Sequence, residues 1–204
     1  MKGLRHLLLF LFLAAFSRGE EMRPDMALFF RTPENLEIVT SPEWVEACIL
    51  YPKKPWFSRK HPTKYREGKY QKLSAEEAAL LSSKLSDEKT YKWNSAKACM
   101  PTYNARVRFH HGSHVINADF CFGCDIVIFR KDGEPLNGED FDNASSEIFE
   151  VIRTHFPKDS VVSSILAMQE ERRKSRLQIE EAIRREKEKK AGRQPAASDL
   201  PATP

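Results

Sequence analysis

In the two runs Ala105–Phe109 and Ile116–Phe122 every second residue is apolar. Ala105, Val107 and Phe109 alternate with Arg106 and Arg108, and Ile116, Ala118, Phe120 and Phe122 alternate with Asn117 and Asp119. A period of two marks strands with one buried and one solvated face. The stretch His110-His111-Gly112-Ser113-His114 between the two runs predicts a β-hairpin. The next run, DIVIFR (Asp125 to Arg130), is apolar on both parities at its centre, as a strand buried on both faces would be, and Lys131-Asp132-Gly133 turns it. Upstream, WVEACIL (Trp44 to Leu50) is rich in β-formers and ends at Tyr51-Pro52, which reads as a further strand.

Elsewhere the period is helical. Leu73-Ser74-Ala75-Glu76-Glu77-Ala78 carries a capping box and a hydrophobic staple, followed by Ala78, Leu81 and Leu85 on one face. Thr32-Pro33-Glu34 starts a shorter helix that turns Leu36 and Val39 inward and stops before Pro42. A third helix, capped by Asp142 or Asn143, places Ile148, Val151, Ile152 and Phe156 together and ends at Pro157. Helices on either side of antiparallel strands predict an α+β domain over residues 33–166, a small antiparallel sheet with helices packed on one face. Residues 20–32 read as an irregular lead-in. The stretch from Tyr51 to Lys72, with three prolines and interleaved cations and aromatics, reads as an extended loop. Residues 167–193 form a charged C-terminal helix with acid-before-base pairs four apart, such as Glu170 with Lys174 and Glu181 with Arg185. Leu177, Ile179, Ala182 and Ile183 are too few for a heptad seam, so the helix reads as solvated, and residues 194–204 as disordered.

Lys2, Arg5 and His6 precede an apolar run from Leu7 to Phe16, and Ser17-Arg18-Gly19 comes after it. This is the layout of a signal peptide over residues 1–19, with a run shorter than the ~20 residues that span a bilayer. The expected mature chain starts near Glu20, is secreted or periplasmic, and has no transmembrane anchor after cleavage. Three of the 33 Lys and Arg residues leave with that leader while all 29 Asp and Glu stay, so the remainder is close to neutral and its basic excess lies beyond Glu170. Such a body has no electrostatic footprint for nucleic acid.

Four cysteines remain, Cys48, Cys99, Cys121 and Cys124, an even number that in an exported chain favours disulfides. With the hairpin turn centred on Gly112, paired positions sum to about 224, so Cys99 approaches Cys124, or Cys121 if Phe122-Gly123 bulges the strand. A disulfide staple is the first reading. A zinc site with Cys99, Cys121 and Cys124 as thiolates is the second, its fourth ligand coming from Asp125, Cys48 or His155. His110, His111 and His114 are excluded as donors to it, because His114 to Cys121 spans about 23 Å of strand. A thiol-redox pair is the third, but it lacks the helix N-terminus that lowers a thiol pKa, since Cys124 runs into a strand. Asn143-Ala144-Ser145 is formally a glycosylation acceptor and is read as a helix cap. GxSxG, HExxH, P-loop and GxGxxG patterns are absent. Asp119, Asp125 and the Glu134 to Asp142 loop are the acids that could converge, and read as turn formers.

The strand WVEACIL, the helix LSAEEAALL, Cys99-Met100-Pro101, ARVRF, the Cys121-Phe122-Gly123-Cys124-Asp125 segment and a closing helix before FPKD together resemble a family of exported bacterial proteins with no assigned activity. The resemblance covers about Trp44 to Ile165. It implies that Cys99, Cys121 and Cys124 form one constellation, and it sets Cys48 apart, because Cys48 stands where the family pattern is aromatic. It implies no substrate, cofactor or reaction. The expectation is therefore an exported, non-enzymatic binding or structural module stabilised around Cys99, Cys121 and Cys124. Its protein or envelope-surface partner would be reached through Lys53 to Lys72 or the C-terminal helix. The alternative is a zinc-binding or thiol-redox protein using the same cysteines.

Overall fold

The computed structural model describes residues 24–53, 64–93 and 97–191. The segment read as a signal peptide, most of the proline-rich stretch after Lys53, and the end of the chain lie outside the described residues. The order of elements is α1 (Pro24–Phe30), α2 (Pro33–Thr40), β1 (Trp44–Pro52), β2 (Tyr65–Glu67), β3 (Gln71–Lys72) and α3 (Ala75–Ser86), then β4 (Ala105–His111), β5 (His114–Cys121), β6 (Ile126–Lys131) and β7 (Glu134–Asp140), then α4 (Ser145–His155) and α5 (Ser160–Ala191). The chain divides into two compact units at Pro157/Lys158. The first is an α+β domain, and the second contains α5.

All strand pairs are antiparallel, in the order β2-β1-β4-β5-β6-β7, with β3 also pairing β1. The hairpin closes through Gly112-Ser113, with Gly112 at φ 57°, the left-handed conformation that a two-residue turn requires. One face of the sheet is continuous core, with rows Ala47–Val107–Ala118–Phe129 and Ile49–Ala105–Phe120–Val127. Helices close over it. Phe29 and Phe30 of α1 meet Phe129 edge-on, and Phe122 sits among Phe120, Phe141 and Phe149. Ile38 and Val39 of α2, Leu81 and Leu85 of α3, and Ile148 and Ile152 of α4 are buried as well.

Several expectations need correction. The lead-in is not wholly irregular, because α1 forms in it and supplies Phe29 and Phe30 to the core. The described part of the proline-rich stretch adds two short strands to β1 instead of looping freely. Glu134 to Asp140 is strand β7 and not a loop. Its alternation is weak because Pro135, Asn137 and Gly138 interrupt it and most of its residues are exposed. Neither Asp142 nor Asn143 caps α4. The cap position is Ala144 without a side-chain bond, because Asp142 is held by Lys92 and Lys97 and Asn143 donates to the Lys89 carbonyl. The box at Ser74 and Glu77 forms as expected, and Thr32 caps α2 through the Asn35 amide.

α5 runs for 32 residues, and its side chains from Glu171 to Lys189 are exposed. Glu170 pairs with Arg173 and Lys174, and Glu181 with Arg185. No helix among the described residues is long and apolar enough to cross a membrane.

Candidate functional site

The opposite face of the sheet is where chemistry collects, because the same alternation that buries Val107 and Phe109 turns Arg106, Arg108 and His110 outward. Cross-strand register aligns them in rows, Cys48–Arg106–Asp119–Ile128, Glu46–Arg108–Asn117–Arg130 and Trp44–His110–Val115. Arg106 grips Asp119 with two parallel bonds (Nε to Oδ1 2.5 Å, Nη2 to Oδ2 2.8 Å) and also bonds Glu67. Arg130 reaches the same Asp119 at 3.2 Å. Arg108 donates to Asn117 (3.1 Å) and Glu67 (3.0 Å) and lies 4.0 Å above the Tyr70 ring. Two-pronged guanidinium–carboxylate bonds fix both side chains, so the charges are positioned as well as paired.

Aromatic rings frame this lattice. Trp44 and His110 stack at 3.5 Å, with His110 Nε2 at 3.2 Å from Glu46. Tyr70 donates to Glu67 at 2.9 Å, and the Tyr65 hydroxyl accepts from the Tyr103 amide at 3.2 Å. Burial pushes the Tyr103 hydroxyl up to about 12. Burial likewise raises Cys48 to about 11, against the opposing hydrogen bond of Tyr70, so Cys48 is an inert thiol at neutral pH. For Arg106, burial opposes the charge, but the bonds to Asp119 outweigh it and keep the guanidinium protonated.

The cysteine corner lies where β5 turns into β6. Cys99 and Cys124 form a disulfide with Cα atoms 6.2 Å apart, within the usual range. Cys48 and Cys121 are free and buried. Two of the three thiolates that a zinc ion would need are thus consumed by the bridge in this form. Among the described residues no three His, Cys, Asp or Glu side chains are arranged to hold a metal ion. Lys97, two residues before Cys99, is a second tether. Its ammonium bonds Asp140 (2.8 Å), Asp142 (2.5 Å) and the Cys124 carbonyl (2.7 Å). Burial raises the Asp142 carboxyl, but the bonds from Lys92 and Lys97 outweigh it and hold it well below the usual carboxylate range.

The acids noted in the sequence do not share a site. Asp119 belongs to the arginine lattice, Asp125 accepts from Ser145 at 2.5 Å, and Asp140 and Asp142 hold Lys97. Of the hairpin histidines, His110 joins the lattice, His111 Nδ1 lies 2.8 Å from the Ser41 carbonyl, and His114 is exposed. His155, the distant zinc donor suggested by the sequence, bonds Glu77 at 2.9 Å. Sequence reasoning missed the outer lattice as a unit. The polar parity of β4 was its one visible signal, while Tyr70 and Glu67 lay in a stretch that looked structureless. No family model, no curated protein and no solved structure matches the chain.

Proposed function

We propose that this is an exported module whose work is recognition and not turnover. It binds a protein at the cell envelope through the outer sheet face and the adjoining Tyr65 to Lys72 segment. The observation that carries this reading is the composition and rigidity of that face. Trp44, Tyr70, Tyr103, Arg106, Arg108 and Arg130 stand on paired strands or beside them, each braced by a neighbour. Tyr, Trp and Arg dominate the binding energy of protein interfaces, and side chains already held in place lose little entropy on binding. Three arginines are balanced by Glu46, Glu67 and Asp119, which fits a protein surface better than a polyanion.

A photo-reactive residue placed at Val115 or Ile128 on the face, at Leu177 or Ile179 on the C-terminal helix, and at Leu80 on α3 as control tests this in the cell that makes the protein. The expected result is one defined protein adduct from the face positions and none from Leu80. Adducts from Leu177 or Ile179 alone would transfer recognition to the C-terminal helix, and no adduct from any position would overturn the reading. Sequencing the mature N-terminus checks export, with a start near Glu20 expected. The convergence of three cysteines supports a second reading, zinc or thiol-redox chemistry. Native mass spectrometry separates the two, since a zinc-bearing mass with three thiols exposed by chelation would favour the metal.

A further inference from the structure

Cys121 and Cys124 sit at the two ends of a tight turn closed by the Cys124 amide on the Cys121 carbonyl at 3.2 Å. A turn of this kind holds its end Cα atoms within about 7 Å, overlapping the separations that a disulfide spans. The Cys121 sulfur faces the backbone amides of Cys124, Thr102 and Gly123. Those amides come from both sides of the corner, the β5–β6 turn and the segment just after Cys99. They form a cradle suited to a sulfur carrying negative charge. Cys124 is bonded to Cys99, whose own side is exposed, whereas Cys121 and Cys124 are buried. Lys97 holds the Cys99 segment to Asp140, Asp142 and the Cys124 carbonyl independently of the bridge. A sulfur leaving from Cys99 would therefore stay close to the corner, and the reverse reaction would remain intramolecular.

We propose that Cys121 is the internal nucleophile of an exchangeable disulfide that presents Cys99 as a latent surface thiol. The Cys121 thiol gives its proton to solvent base and attacks Cys124 Sγ. The Cys121–Cys124 bond forms as the Cys99–Cys124 bond breaks, and Cys99 leaves as a thiolate that takes up a proton. The step is an isomerisation, with one disulfide and two free thiols before and after, so it needs neither oxidant nor reductant. Its product is an exposed thiol beside Met100, a modification site for thiol-reactive groups and for the disulfides of other exported chains. Burial raises the Cys121 pKa against the pull of the three amides, so exchange is slow at neutral pH and accelerates with alkalinity.

The test uses the intact mature protein, without added thiol, incubated with iodoacetamide and mapped by non-reducing digestion. Label is expected on Cys99, matched in amount by a Cys121–Cys124 linkage inside one peptide. Its rate should be independent of protein concentration and rise about tenfold per pH unit below the Cys121 pKa. Cys121→Ser should lower Cys99 labelling by about 100-fold, to the level at which Cys48, the remaining free thiol, reaches the bridge during transient opening. Label on Cys121 with the Cys99–Cys124 bridge intact, absence of the 121–124 linkage, or undiminished Cys99 labelling in Cys121→Ser would overturn the proposal. If that variant does not fold, the wild-type map decides together with the concentration series, because a 121–124 linkage that forms at a rate independent of protein concentration excludes exchange between molecules.

Discussion

Replacing Asp119 by Ala removes the carboxylate on which the outer lattice converges. Its side chain is 3% exposed and holds Arg106 through two bonds, with Arg130 on the same oxygen pair. Deletion leaves two guanidinium groups facing each other across the gap, one of them, Arg106, only 16% exposed. Breaking a buried pair from one side costs about 3 to 5 kcal/mol. Arg106 keeps Glu67 and Arg130 keeps partial solvent, so the expected loss lies at the lower end, about 3 kcal/mol, a large share of an ordinary domain's 5 to 15. Arg106→Met combined with Asp119→Ala should cost less than the sum of the single changes, with a coupling of about 1 to 3 kcal/mol. Urea unfolding of the oxidised protein at two salt concentrations measures all four corners of this cycle. A loss below about 1 kcal/mol that shrinks in salt would place Asp119 with exposed pairs such as Lys84–Glu147 and would refute the claim that Asp119 is the buried anchor of the lattice.

Replacing both Cys99 and Cys124 by Ala opens a loop of 25 residues' separation and should cost roughly 3 to 4 kcal/mol by chain entropy, read as a lower urea midpoint. Burial raises the Glu77 carboxyl, but the hydrogen bonds from His155 and Ser74 outweigh it and leave its folded pKa below the ordinary 4.5. That stabilisation is complete above the unfolded value and is lost as pH falls through 4.5 and below. Glu77→Ala should thus destabilise by about 1 kcal/mol near neutrality and show a flatter acid limb in thermal melts. Phe122→Ala empties a fully buried ring site and should cost about 3 to 5 kcal/mol in the same urea assay. Gly138→Ala places a methyl 2.9 Å from the Val127 carbonyl oxygen and should lower the melting temperature, while the same change at an exposed loop position should not.

Local chemistry made part of this legible. The box at Ser74 and Glu77 needs only neighbouring residues, and the hairpin register comes from period two plus Gly112. The observed pairs sum to 225, one from the expected value, which was enough to bring Cys99 to Cys124. What escaped depends on distant partners. Nothing in the sequence around Phe29 announces that it will pack on Phe129, and Glu134 to Asp140 becomes a strand because β6 offers it a ladder. The outer lattice is invisible for the same reason, since Glu67, Arg106, Asp119 and Arg130 meet only after five strands, β2, β1, β4, β5 and β6, have aligned.

β7, the last strand of the sheet, is poorly suited to serve as a template. Pro135 brings no amide hydrogen, a bulge at Phe129/Arg130 breaks its register with β6, and Glu134 and Glu139 add like charge along it. A neighbouring copy arriving edge to edge would find an interrupted ladder and repulsion where a growing fibril needs continuity. At high local concentration this edge is thereby kept from adding a strand from a neighbouring copy.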